Sequence, residues 1–264
     1  MKNNALRISN RGEFIRFLTS ELPELPGYFS KDVEINRQGA TSIDEIPDVP
    51  AMRPAQVGER QARGAIVLDT RPSEKFAAAH IPGSIQIGLQ GQYAAWAGSI
   101  LGLNTDVILL AEDVQRMEES RLRLARVGIE RVVGYVADGI GGWVRDGLEV
   151  ATTTRISVDQ LYELAFRRQE NIQVIDVRRP YEWRAGHVAV AITKPLNELA
   201  WTLSGIDPAN PCAVYCQGGY RSSIACSLLQ RAGFGQVMDV AGGFDSWLDH
   251  QLPYAVSERR PEMS

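Results

Sequence analysis

Apolar and polar positions along the chain follow two periodicities in alternation. Short apolar runs rich in β-branched residues, such as Val107 to Leu110 and Ala213 to Tyr215, indicate buried strands. Each run is followed by an amphipathic stretch that predicts a long helix, from about Val114 to Val127 and from about Tyr220 to Ala232. Strands that alternate with helices predict an α/β fold, with a mostly parallel sheet flanked by helices on both faces.

A tandem repeat accounts for the two occurrences of this pattern. The segment AIVLDTRPSEKFAAAHIPGSI, from Ala65, aligns with IQVIDVRRPYEWRAGHVAVAI, from Ile172, and places Asp69 opposite Asp176. Further along, RVGIERVVGYVADGIGGW aligns with RAGFGQVMDVAGGFDSW at nearly the same offset. Two separate matches at nearly one offset indicate a duplicated domain. We expect an N-terminal helix and arm over residues 1–50, a first domain over 51–150 and a second over 151–264.

The segments outside the two copies have their own patterns. Phe14, Phe17 and Leu18 have helical spacing and precede a proline-rich stretch that predicts an extended arm. Between the copies, EVATTTR lacks apolar periodicity, so we place the boundary there. Just after it, Ser157 and Gln160 predict a capping box that begins the helix VDQLYELAFRRQ.

Composition and charge narrow the class of protein. With 44% hydrophobic and 23% charged residues, the chain resembles a globular protein. No apolar run is long enough for a membrane span, and the N-terminus lacks the apolar core of a signal peptide, so we expect no membrane partner. The net charge of −4 and the scattered basic residues also argue against a nucleic-acid partner.

Only three cysteines occur, Cys212, Cys216 and Cys226, a number that indicates free thiols in a reducing cytoplasm. Cys212 and Cys216 flank a predicted strand, which separates their α-carbons by roughly 13 Å, too far for a disulfide. The three histidines show no ligand spacing among themselves or with the cysteines, so we expect neither a metal nor a cofactor.

The loop after the last apolar strand of the second copy has the pattern of a nucleophile site. Cys216 stands between that strand and a helix. The two glycines of the loop allow its backbone to curl tightly and to direct N–H groups towards the cysteine. The positive end of the helix dipole favours a thiolate there. The predicted substrate-binding residues follow the cysteine directly: Gln217, Gly218, Gly219, Tyr220, Arg221 and Ser222. Arg221 can hold an oxyanion with two hydrogen bonds.

This arrangement suits an attack by Cys216 on a sulfane sulfur, which leaves a persulfide on the enzyme. The alternative interpretation is a buried cysteine before a glycine-rich turn. We apply that interpretation to Cys212 and Cys226, which have ordinary apolar neighbours.

The segments DVRRPYEWRAGH, YCQGGYRSSIA and VAGGFDSWLDHQLPY together resemble the rhodanese sulfurtransferase family, over about Arg155 to Tyr254. The first copy, about Ala51 to Gly147, resembles the same family through LDTRPSEKFAAAHIPGSI. The resemblance implies two tandem rhodanese-like domains, with Cys216 as the nucleophile.

Both copies depart from the family pattern. In the second, the usual Gly-His-Ile-Pro-Gly becomes Gly-His-Val-Ala-Val from Gly186, so we expect a different turn. In the first, the nucleophile position holds Ala111, followed by Glu112 and Asp113 in place of the glycines. Because it lacks a thiol and carries two carboxylates, we expect the first domain to be inactive and structural. The N-terminal arm is similar to a segment of metallo-β-lactamase-fold persulfide dioxygenases, some of which are fused to rhodanese domains.

Four residues are expected to support the loop without acting on substrate. We expect one cluster of ion pairs and hydrogen bonds, formed by Asp176, Arg178 and Glu182. We expect His187 to be a hydrogen-bonded turn residue. Trp201 belongs either to the substrate mouth or to the core. Gly242, Gly243 and Trp247 are interpreted as turn and packing residues.

The leading hypothesis is a sulfurtransferase that moves sulfane sulfur from thiosulfate or a low-molecular-weight persulfide to cyanide, sulfite or a thiol. The alternative is a carrier that passes persulfide sulfur between proteins, with a thiol or sulfur-relay protein as partner. A cysteine phosphatase or arsenate reductase is disfavoured, because the four residues between Cys216 and Arg221 form a loop one residue shorter than is usual in those enzymes.

Overall fold

The computed structural model describes residues 10–19, 48–168 and 170–257. The N-terminal helix is present as α1, Arg11–Thr19. The predicted extended arm and the side chains of Phe17 and Leu18 lie outside the described residues.

The first copy folds as an alternation of strands and helices. Its elements are β1 (Ala51–Met52), α2 (Pro54–Ala62), β2 (Ile66–Asp69), α3 (Ser73–Ala78), β3 (Ile85–Gln86), α4 (Tyr93–Ile100), β4 (Val107–Leu110), α5 (Val114–Ala125), β5 (Val132–Val136) and α6 (Gly139–Arg145). Strand β4 is fully buried, as expected of the central strand of a parallel sheet covered on both faces.

The second copy repeats this order. Its elements are β6 (Thr154–Ile156), α7 (Val158–Tyr162), β7 (Gln173–Asp176), α8 (Pro180–Ala185), β8 (Ile192–Thr193), α9 (Leu196–Leu199), β9 (Cys212–Tyr215), α10 (Tyr220–Arg231), β10 (Val237–Val240) and α11 (Gly243–Asp249). The capping box that begins α7 is confirmed, since Ser157 and Gln160 exchange hydrogen bonds of 3.1 and 2.8 Å. The predicted helix continues past α7 as a π-helical turn, Glu163–Arg167.

Each copy contains one five-stranded sheet whose strands are all parallel. The strand orders are β1-β5-β4-β2-β3 and β6-β10-β9-β7-β8, the same topology in both copies. The predicted α/β fold of two related domains is therefore confirmed. In the second sheet Asp176 pairs with Tyr215, so the residues that follow β7 and β9 emerge side by side at the carboxyl edge.

The two copies share a continuous apolar core. One cluster of buried residues includes Ile87 and Leu89 of the first copy together with Ile224 and Cys216 of the second. Polar contacts reinforce this interface at α10: the hydroxyl of Ser223 donates to Gln86 Oε1 at 2.8 Å. The copies therefore pack along the helix that follows the cysteine loop.

The segment between the copies is bonded to α10. The Gln230 side chain donates to Thr152 O at 2.8 Å and accepts from the Thr153 hydroxyl at 3.0 Å. Hydrogen bonds, and not burial of an apolar face, fix the position of this segment, which is why its sequence shows no apolar periodicity. In the described part of the chain, no helix has both the length and the apolar character needed to cross a bilayer.

Candidate active site

Cys216 lies at the carboxyl end of β9, four residues before α10 begins. Its side chain is buried, and its sulfur accepts a hydrogen bond from the backbone N–H of Gly219 at 3.1 Å. Gly219 makes this contact with a φ of +99°, a conformation that favours glycine. The 12-residue helix α10 starts directly afterwards, so its unpaired N–H groups and positive dipole end lie beside the loop.

The start of α11 holds the cysteine loop from the other side. The N–H groups of Phe244 and Asp245 donate to the carbonyls of Cys216 and Gln217 at 2.8 and 3.0 Å. Gly243, with a φ of +57°, permits this approach, because a β-carbon there would lie 2.7 Å from Gln217 O. The predicted turn role of Gly243 thus has a physical reason.

The predicted supporting cluster contains two ion pairs. In the first, Arg178 donates from Nη2 to Asp176 at 2.7 Å and to Gly186 O at 2.6 Å. Its Nη1 donates to Gln217 Oε1 at 3.0 Å, which ties the pair to the cysteine loop. The pKa of Arg178 is raised: burial alone would lower it, but the hydrogen bond and charge of Asp176 outweigh burial.

Glu182 belongs to the second pair, which lies close enough to the first for the charge of Arg178 to act on the Glu182 carboxylate. Its two oxygens accept from Arg221 Nη1 and Nη2 at 2.6 and 2.7 Å. The two side chains are 15% and 16% exposed, so the pair is largely shielded from water. Burial alone would raise the pKa of Glu182, but the hydrogen bonds from Arg221 and from the Arg179 backbone lower it.

Ser222 lies away from the substrate side of the loop. It is fully buried, and its hydroxyl is bonded to Asp239 Oδ1 at 2.7 Å and to Gly219 O at 3.1 Å. Its expected contact with substrate is therefore not seen, because the first turn of α10 points this side chain into the domain. Burial raises the pKa of Asp239, although the Ser222 hydrogen bond opposes the shift.

Cys216 opens onto a cavity of about 400 Å³ between the two copies. The lining combines the cysteine loop, the start of α8 and the segment before and within α4: Gly91, Gln92, Trp96, Arg179, Tyr181, Glu182, Cys216, Gln217, Gly218, Tyr220 and Arg221. Tyr220 joins the two copies, since its hydroxyl donates to Gly88 O at 2.8 Å.

Five of the lining residues were missed from the sequence. Gly91, Gln92 and Trp96 belong to the other copy, and no local pattern links them to Cys216. Arg179 and Tyr181 lie at the start of α8, between the predicted supporting residues Arg178 and Glu182.

His187 and Trp201 have different surroundings. The ring of His187 stacks on Trp183 with centroids 3.6 Å apart, and its Nδ1 donates to Trp183 O at 2.9 Å. The turn that follows differs from the first copy as expected, because Gly83 has a φ of +73° whereas its counterpart Val190 has no positive φ. Trp201 is 75% exposed, which contradicts a core role, and it does not line the cavity.

The other two cysteines are core residues. Cys212 and Cys226 are buried and free. Burial raises the pKa of Cys212 to about 11 and also raises that of Cys226, so both thiols are held in the protonated form. Among the described residues, no group of three or more His, Cys, Asp or Glu side chains could hold a metal ion.

The same position in the first copy has a different chemistry. Ala111 follows β4, and Asp113 caps α5 by accepting the N–H of Arg116 at 2.7 Å. Glu112 pairs with Lys75 at 2.5 Å. Lys75 is the counterpart of Glu182, so the charge at this position is reversed, whereas its partner Glu112 is the counterpart of Gln217 and not of Arg221. Asp69 and Arg71 retain the equivalent of the Asp176–Arg178 pair.

Comparison with known families supports one assignment. The model of the rhodanese-like domain matches twice, at residues 53–146 and 157–250. The chain belongs to the rhodanese-like family. A sulfurtransferase of Allochromatium vinosum is 32% identical over 89 residues, which are 34% of this chain and 83% of that protein. The thiosulfate sulfurtransferase GlpE of Pseudomonas putida is 34% identical over 93 residues, 35% of this chain and 83% of that protein.

A solved structure also matches the rhodanese-like chain. The rhodanese-related protein of Thermoplasma volcanium is 31% identical, with a TM-score of 0.36, and the match covers 39% of this chain and 99% of that one. Family membership and the sulfurtransferase relatives support sulfurtransferase activity for this protein.

Proposed function

We propose that the protein transfers sulfane sulfur from thiosulfate or a low-molecular-weight persulfide, through a persulfide on Cys216, to cyanide, sulfite or a thiol. The observation that carries the proposal is the position of the Cys216 sulfur. It is bonded to the Gly219 N–H before the N-terminus of a long helix, and the residue lines a cavity. A thiolate is stabilised in such a position.

The reaction needs no redox partner. The Cys216 thiolate attacks the sulfane sulfur, a new S–S bond forms, and the donor's S–S bond breaks with its electron pair leaving on sulfite or on a thiolate. In the second half, the acceptor attacks the outer sulfur of the Cys216 persulfide, and the thiolate returns. The Gly219 N–H and the helix N-terminus stabilise the negative charge on sulfur in both halves.

The first domain, in this proposal, is inactive and forms one wall of the site. Its position after β4 has no thiol and carries Glu112 and Asp113. It supplies Trp96 and Gln92 to the cavity and the carbonyl of Gly88 to Tyr220. A role in persulfide metabolism, next to persulfide dioxygenases in a reducing cytoplasm, is part of the same proposal.

A persulfide carrier between proteins is the second candidate function. The observation that favours it is the exposed rim beside the cavity, where Tyr181 is 50% exposed. A carrier would release its sulfur to a partner protein and react slowly with small acceptors.

The test is turnover of the full chain with thiosulfate or glutathione persulfide as donor and cyanide as acceptor. We expect steady thiocyanate production, its loss in Cys216→Ser, and its retention in Cys212→Ala. Near-normal turnover in Cys216→Ser would contradict the proposal. A persulfide that forms on Cys216 but is not discharged by cyanide, sulfite or small thiols would favour the carrier.

A further inference from the structure

We propose, on the basis of the function above, that the cavity selects organic persulfides over thiosulfate, with Glu182 and Trp96 as the residues that determine this specificity. The organic group of the donor would lie against the wall that the first domain supplies.

Charge is the first argument. Three charged residues line the cavity: Arg179, Glu182 and Arg221. Both Nη groups of Arg221 already donate to Glu182, so this edge of the guanidinium is occupied and the pair carries no net charge. Thiosulfate concentrates two negative charges next to the reacting sulfur, and dehydrating them without a matched cation is costly.

An organic persulfide places its charges differently. The two sulfurs carry one negative charge at most, and the carboxylates of a donor such as glutathione persulfide lie several bonds away. Arg179, at the rim, is exposed and has no charged partner within the described ranges of the chain. It is therefore available for a remote carboxylate, whereas the paired Arg221 remains next to the sulfur.

Size and shape are the second argument. The cavity, about 400 Å³, falls within the range of roughly 300–1,000 Å³ that is usual for sites that bury larger organic ligands. Its walls include the rings of Trp96 and Tyr181 and the amides of Gln92 and Gln217. Aromatic faces and amides match the carbon chain and peptide groups of a thiol tripeptide, and thiosulfate would leave them without contacts.

The chemistry of the first half-reaction fits this donor. The Cys216 thiolate attacks the outer sulfur of R–S–SH, the S–S bond breaks, and R–S⁻ leaves with the bonding electrons while the outer sulfur keeps its proton. The leaving thiolate carries a single charge, so it requires no second cation at the bottom of the cavity.

The test compares kcat/KM of the full chain for thiosulfate, cysteine persulfide and glutathione persulfide, with cyanide as the common acceptor. We expect kcat/KM to increase in that order, with glutathione persulfide at least about tenfold above thiosulfate. A thiosulfate value equal to or above that of glutathione persulfide would overturn the proposal.

Two variants identify the residues responsible. Glu182→Gln should increase kcat/KM for thiosulfate about tenfold, since it releases Arg221 and keeps an acceptor for the Arg179 N–H. Trp96→Ala should lower the preference for glutathione persulfide over thiosulfate at least about fivefold. Trp201→Ala, an exposed tryptophan outside the cavity, is the matched control and should leave the preference unchanged.

Outcomes for the two proposals are separable. If Trp96→Ala does not fold, Gln92→Ala tests the same wall at an exposed position. A decrease in thiosulfate kcat/KM in Glu182→Gln would contradict the specificity argument. An added sulfur on Cys216 from either donor supports the proposed function whatever the preference, and no added sulfur from any donor contradicts the proposed function.

Discussion

The sulfur of Cys216 accepts one backbone hydrogen bond, and the loop that follows it contacts Arg178 and contains Arg221, both of which are paired. Arg178 is bonded to Asp176, and Arg221 to Glu182. In each pair the positive charge of the arginine is balanced by a carboxylate. At the scale of single residues, Gly219 and the helix N-terminus supply positive potential to the sulfur, in addition to the charge of the paired Arg221.

Arg221→Ala should lower the free energy of unfolding by about 2 kcal/mol, because it leaves the largely buried Glu182 carboxylate without its charged partner. Combined with Glu182→Gln, the loss should be smaller than the sum of the two single effects. Urea denaturation of the four proteins in this double-mutant cycle gives the coupling. Strictly additive effects would show that the pair contributes nothing to stability.

The same cycle has an expected pH dependence. The pKa of Glu182 is lowered in the folded protein from an ordinary value of 4.5. Its ion pair therefore stabilises the fold above that value, and the contribution is lost as the pH falls through the lowered pKa. Repeating the urea measurements at successively lower pH should show the coupling decline only below about 4.5.

At the scale of elements, the site is the junction of β9, α10 and α11. The carbonyls of Cys216 and Gln217 accept the first N–H groups of α11, so each element satisfies backbone groups of another. This arrangement requires the close approach at Gly243, and the loop conformation depends on it.

Gly243→Ala should destabilise the protein by about 3 kcal/mol and lower turnover, because the new β-carbon would collide with the carbonyls of the loop at a positive φ. Gly235→Ala is the control, since a β-carbon there meets nothing within 4 Å. Thermal unfolding and thiocyanate production measure both effects. Equal behaviour of the two variants would mean that the contact with α11 does not hold the loop.

The sequence predicted the elements well and the contacts between them poorly. The apolar period located β4 over Val107–Leu110 and α10 to within one residue, because burial of one face controls both patterns. The partner of Glu182 could not be predicted in this way, since Arg221 is 39 residues away along the chain. The wall that includes Trp96 depends on the packing of two domains, which no local period encodes.

At the scale of the molecule, the duplicated domain has two unlike copies. They share a sheet topology and a buried Asp-Arg pair, and they differ at the loop after the central strand. The second copy has Gly219 and a thiol there, and the first has Glu112 and Asp113. The first copy instead contacts the loop of the second through Gly88, which accepts the Tyr220 hydroxyl.

Ala111→Cys in a Cys216→Ser background should not restore sulfur transfer. The new thiol would lie next to two carboxylates and would have no hydrogen bond like the one from the Gly219 N–H to Cys216. Its thiolate would therefore be disfavoured. Thiocyanate production and persulfide detection at position 111 provide the readout. Recovery of turnover would show that the two carboxylates and the missing glycines do not account for the inactivity of the first copy.

The most direct measurement is mass spectrometry of the full chain after brief exposure to glutathione persulfide or thiosulfate, followed by peptide mapping. The account predicts one added sulfur on the peptide that contains Cys216, removable by cyanide, and none on Cys226 or Cys212. An added sulfur on either buried cysteine, or an unmodified Cys216 in a protein that still produces thiocyanate, would contradict it.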